Sequence, residues 1–188
     1  MSKTYTGGAT AVLPMPPLQV WLTGDISTEI ERAKTTGEEP IYRGGLSPLH
    51  LLAQRGSVQL VRSALEAGFA VDVGDDFHRT PLMLASCLAG YLEAGAITGT
   101  LISAGAAVAA TDRFGNSALH YAARSGNSEA LAVLLSAGAD PDRANRLGQS
   151  ARALVEGRAD LELLRLLRRV GFNREWASTT IEGERTGV

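Results

Sequence analysis

The residue types best suited to chemistry in this chain are His50, His78, His120 and Cys87, with the carboxylate pairs Glu38-Glu39 and Asp75-Asp76. Two of the histidines sit in matching surroundings, GLSPLHLLAQRG at 45–56 and GNSALHYAARSG at 115–126. Such a pair could relay a proton or share a metal if the rings met within hydrogen-bond reach. A cysteine activated by a nearby base would be a nucleophile. None of these completes a site. Cys87 has no basic neighbour in sequence and no convincing histidine partner, and a lone cysteine excludes both an internal disulfide and a cysteine zinc cluster. Gly44-Gly45 opens a helix without the Lys and Ser or Thr of a phosphate-cradling loop. The acidic pairs fall in turns, where solvation or capping is their ordinary role. This reading gives no enzyme, no metal and no cofactor.

The elements that position these residues follow from the whole chain. Its 188 residues, 45% hydrophobic, suit one ordinary domain with a sizeable core. With 18 basic and 20 acidic residues the net charge is -2, too near neutral to draw the whole chain onto nucleic acid or an anionic membrane. No apolar run approaches the ~20 residues that span a bilayer, and Pro14, Pro16 and Pro17 break the N-terminal apolar pieces of the kind a signal peptide needs. The expected location is cytoplasmic, with export as an effector still open.

A period runs through the chain. Ser47, Thr80, Ser117 and Ser150 open successive blocks at separations of 33, 37 and 33 residues, and Gly68, Gly105, Gly138 and Gly171 close them. The second block alone carries four extra residues, within LAGYLEAGAITG. Ser and Thr accept from an orphan helical amide, and proline is tolerated at the next position, as in Ser47-Pro48 and Thr80-Pro81. The short apolar runs LHLLA, LMLAS and LHYAA are first helices, predicted to end near Gly56, Gly90 and Gly126. A second, amphipathic helix follows in each block, with apolar residues such as Val58, Val61, Ala64 and Leu65 at helical spacing. Segments such as DRFGN at 112–116 carry the Asp and Gly of a tight turn. Each unit is helix, turn, helix, hairpin.

These blocks resemble ankyrin repeats over about residues 42 to 172, on the pattern D-x-x-G-x-T-P-L-H-x-A-A-x-x-G followed by a second helix and L-L-x-x-G-A. The resemblance implies an all-α solenoid of stacked helix-turn-helix units joined by short hairpin loops. It departs at three places: Met83 replaces the histidine and His78 the turn glycine of block two, the insertion falls in the same block, and the fourth block has Ala151-Arg152 for Pro-Leu. The expected organisation is a flexible 1–13, a degenerate capping helix pair over 14–40, repeats at 41–74, 75–110 and 111–144, a C-terminal capping repeat at 145–176 and a disordered 177–188. Phe172 and Trp176 are expected to fold back over the last helix pair. The resemblance also implies that His50 and His120 knit neighbouring turns together.

In that architecture the positions free of packing duties line one concave face. Here they are Arg43, Gly44, Leu46, Gln54 and Arg55; Asp76, Phe77, Arg79, Cys87 and Leu88; Arg113, Phe114, Asn116, Arg124 and Ser125; and Arg146, Leu147, Gln149, Gly157 and Arg158. Arginine takes about four times the share of these places that the chain average gives, and arginine with aromatics concentrates binding energy. The expected partner is another protein with an acidic surface, met by a chain that is monomeric when unbound. The alternative is phosphate recognition, on nucleic acid or an anionic lipid headgroup, by the same arginines; near-neutral charge and only two lysines weigh against it. The insertion around Tyr91, Leu92 and Glu93 is either a second contact or a tolerated surface loop.

Overall fold

The computed structural model describes Thr35 and residues 41–55, 57–90 and 93–169. The expected capping pair apart from Thr35, the flexible 1–13, the return of Phe172 and Trp176, and the tail from 177 lie outside them. Seven helices carry the described chain: α1 Pro48–Arg55, α2 Val58–Glu66, α3 Pro81–Ser86, α4 Ala94–Ser103, α5 Ala118–Ser125, α6 Ser128–Ser136 and α7 Ala151–Arg158. A further helical stretch, α8, runs over 161–169. Among the described residues no strand forms, only isolated bridges at Tyr42 and Leu46 and at Ala144 and Ser150.

Helices this short are marginal alone and hold because both faces of the stack are used. The first helices pack in one row, α1 on α3, α3 on α5 and α5 on α7. The second helices form a parallel row, α2 on α4 and α4 on α6. Leu49, Leu52, Leu82, Leu119, Leu131 and Leu134 are fully buried between the rows, and Leu163 and Leu167 of α8 extend the same core. Each such leucine contributes about 2 kcal/mol by leaving water.

Thr80 and Ser150 make the hydroxyl caps expected of them, while the Ser47 and Ser117 hydroxyls lie 2.9 Å from Nδ1 of His50 and His120. Thr80 Oγ1 accepts from Met83 N at 3.4 Å, and Ser150 Oγ accepts from Ala153 N at 3.2 Å. Block two departs from the expectation at the end of its first helix: α3 stops at Ser86 rather than near Gly90. The insertion takes up the difference, because the chain from Cys87 to Glu93 joins α3 to α4 where the other blocks need only the two residues before α2 and α6. Glu93 is tied down: its Oε2 accepts from Val58 N at 2.8 Å. Ser57, the N-cap of α2, makes no side-chain cap of its own, so the following repeat supplies the missing acceptor. Glu129 does the same for α4 through Gly95 N at 3.4 Å. Tyr91 and Leu92 lie outside the described residues.

Candidate functional site

The hairpins are built around aspartates. Asp112 Oδ1 accepts from Phe114 N and Asn116 N at 2.8 Å, and its Oδ2 accepts from Tyr121 Oη at 2.8 Å and Asn116 Nδ2 at 3.1 Å. Burial alone would raise the Asp112 carboxyl; these donors, led by the side chains of Asn116 and Tyr121, outweigh it and hold the carboxyl below the usual range. Asp75 occupies the equivalent place and accepts from Phe77 N and Arg79 N. Asn145 repeats the pattern in the fourth block. Each tip is joined to the next by one backbone bond: Asp76 N to Gly44 O, Arg113 N to Phe77 O and Arg146 N to Phe114 O, each at 3.0 Å. This ladder sets Gly44, Phe77, Phe114 and Leu147 in one row.

The row carries exposed apolar surface. Phe77 is 40% exposed, Phe114 48% and Leu147 80%. Guanidinium groups lie between and beside the rings. The Arg113 Cζ is 4.4 Å from the Phe77 centroid and 5.0 Å from that of Phe114, while Arg79 lies 5.2 Å from Phe77 on its own hairpin. Beneath this ridge, Arg124 on α5 stacks over Tyr121 at 4.8 Å. Arg158 on α7 donates Nη1 to the Arg124 backbone carbonyl at 2.9 Å, tying α7 to the last turn of α5. Both Arg79, on the second hairpin, and Arg124, on α5, act electrostatically on Cys87 and Tyr121.

The sequence-derived residues divide accordingly. Arg43, Asp76, Phe77, Arg113, Phe114, Arg124, Arg146, Leu147, Gln149 and Arg158 are exposed, with Gly44, Leu46, Gln54 and Leu88 half-buried. The Arg55 side chain lies outside the described residues. Asn116 is a correction: it is buried, its amide donating to Asp112 and its Oδ1 accepting from Asn145 Nδ2 at 2.8 Å. A short amide next to a buried carboxylate satisfies that carboxylate before it can reach a partner. Arg79 is largely spent as well, since its Nε and Nη2 both meet Asp75 Oδ2 at 2.7 Å. Tyr121 is the residue that sequence reasoning missed; its only signal is a tyrosine in LHYAA where the first block has leucine.

His50 and His120 are committed to structure. Nδ1 of His50 accepts from Ser47 N at 3.1 Å, and its Nε2 reaches Arg79 O at 2.7 Å. His120 repeats this with Ser117 N at 3.2 Å and Gln149 O at 3.1 Å. An accepting Nδ1 and a carbonyl at Nε2 require the neutral ring with its proton on Nε2. Burial lowers both imidazoles, partly offset by the bonds to Arg79 and Gln149 carbonyls. Desolvation pushes the Cys87 thiol up despite Arg124 and Arg79, which keeps it a thiol and a poor nucleophile. Among the described residues no three His, Cys, Asp or Glu are grouped to hold a metal ion. No described helix is long and apolar enough to cross a membrane.

A family profile of ankyrin repeats, in three copies, matches residues 49–145. The chain belongs to the ankyrin repeat family. Among similar proteins, an ankyrin repeat-containing protein of Treponema pallidum is 38% identical over 119 residues, covering 63% of this chain and 39% of that protein. An intracellular phospholipase A2 of Caenorhabditis elegans is 30% identical over 136 residues, 69% of this chain and 13% of the relative. The nuclear factor NF-kappa-B p105 subunit of Rattus norvegicus is 32% identical over 122 residues, 61% and 12%. This ankyrin chain therefore spans well under half the length of each of these relatives. Ankyrin repeats generally mediate protein–protein interaction, and they occur in chains that also carry enzymes.

Proposed function

We propose that this ankyrin stack is a non-catalytic docking module that grips an acidic surface of another protein with its concave, arginine-rich face. What supports the reading is the exposure of Arg113 and Arg146 on successive hairpins and of Arg124 at the end of α5, together with the exposed Phe77, Phe114 and Leu147 of the hairpin tips. Asp75 and Asp112 are buried, so Asp76 is the one exposed carboxylate among the hairpin-tip positions. A net charge of -2 thus coexists with a local positive patch, which steers acidic partners and tightens on lowering salt.

The test is reversal of Arg113, Arg124 and Arg146 together to Glu. Proteins captured from native cell extract by the wild type, identified by mass spectrometry, are expected to be lost by the variant at unchanged helical content and melting temperature. Capture that survives this reversal overturns the reading.

A further inference from the structure

The third hairpin is fastened to the helices behind it differently from its neighbours. His50 on α1 holds the second hairpin at Arg79 O, and His120 on α5 holds the fourth at Gln149 O. The matching carbonyl of the third hairpin belongs to Asn116, and the residue that stands on α3 where those histidines do is Met83, buried and without a hydrogen-bond donor in its side chain. Tyr121 supplies a different fastening. Its Oη donates to Asp112 Oδ2 at 2.8 Å, and the other oxygen of that carboxylate accepts from the amides of Phe114 and Asn116. Both side chains are buried, so losing the bond leaves a desolvated acceptor with one donor fewer. The other three blocks have leucine at this place, Leu51, Leu84 and Leu154, which cannot make it. In the second block the corresponding oxygen of Asp75 is taken by Arg79 from within the hairpin itself.

The same side chain has a second contact. The Arg124 guanidinium lies over the Tyr121 ring, 4.8 Å from its centroid, at a distance where cation and ring attract. One tyrosine therefore touches both the hairpin that carries Arg113 and Phe114 and the arginine at the end of α5, its hydroxyl on the first and its ring face on the second. A phenol has only two side-chain torsions, and its backbone end is fixed in α5, so these attachments set where the hairpin and the guanidinium stand relative to each other. Resting on the docking role argued above, we infer that Tyr121 is a positioning residue of the docking face, holding the third hairpin through its hydroxyl and Arg124 through its ring, in place of the histidine fastening that α3 lacks.

Two variants of the full chain separate the attachments. Tyr121→Phe keeps the ring and removes the hydroxyl, and Tyr121→Leu, the residue type of the other three blocks, removes both. In Tyr121→Phe, amide hydrogen exchange at Phe114 and Asn116 is expected to quicken at least about tenfold, while Leu147 and Gln149 on the fourth hairpin keep their wild-type rates. The Asp112 carboxyl, followed by NMR, should titrate at higher pH once this donor is gone. Tyr121→Leu should in addition abolish the ring-current shift of the Arg124 side chain, which Tyr121→Phe preserves. Capture from native cell extract of the proteins that the triple arginine reversal loses should fall at least about threefold in Tyr121→Phe and further in Tyr121→Leu, because a face that is no longer preorganised binds more weakly. Wild-type exchange at Phe114 and Asn116 in Tyr121→Phe, or equal quickening on both hairpins, overturns the fastening. Full capture by both Tyr121 variants overturns the positioning role, and the docking reading falls with it only if capture also survives the arginine reversal.

Discussion

Gly115 and Gly148 occupy the same corner of consecutive hairpins with φ of 80° and 75°, a region that costs a side-chain-bearing residue about 1 kcal/mol. Their surroundings differ. A Cβ on Gly115 would lie 2.9 Å from Arg146 N and 3.3 Å from Asn145 Cα, whereas one on Gly148 meets nothing within 4 Å. Gly148→Ala is expected to cost about 1 kcal/mol in urea unfolding and Gly115→Ala clearly more, since the added atom collides with backbone. Equal costs would show that the contact between hairpins yields freely. His78 stands at this corner in block two with φ 61° and bears the strain that glycine avoids. The sequence made that departure visible, because one block breaks a pattern the others keep. The fate of Asn116 was not visible, since the same residue type serves equally on a surface or as a donor to a buried carboxylate.

At the scale of elements, the helix pairs were legible from the 33-residue spacing, the Ser and Thr caps and the apolar stripes. The role of the insertion was not. Glu93 ends it by reaching back to Val58 N, a contact across 35 residues that local patterns do not encode. Removing that acceptor with Glu93→Ala leaves the start of α2 without a side-chain cap, and a loss of about 1 kcal/mol is expected in chemical unfolding. Glu93→Gln should retain most of the stability through its carbonyl oxygen. An Ala variant as stable as the wild type would mean that water caps α2 equally well. The approach of Arg113 to the Phe77 ring was likewise hidden, because those two residues lie on successive hairpins and meet only once the hairpins align.

For the whole molecule, buried imidazoles couple stability to pH. His50 and His120 favour the neutral ring when folded, so the unfolded chain takes up protons first as pH falls below the ordinary imidazole value of about 6.5. Their stabilising contribution is complete above that value and declines toward the lower folded one. The melting temperature should fall between pH 7.5 and 5, and replacing both histidines with glutamine should flatten that slope. A wild-type curve that is already flat there would contradict the neutral assignment. The Asp112 carboxyl is held low instead, so its contribution is full above the ordinary carboxyl range near pH 4 and is lost only in stronger acid.

Neighbouring hairpin tips share a single peptide-to-peptide bond, whereas the helices behind them interlock through buried leucines. Stiffness is therefore unevenly distributed: the stack resists compression through its helical rows and is compliant along its loop edge. Under tension it should lengthen one repeat at a time, so that mechanical load opens the hairpin edge before the core lets go.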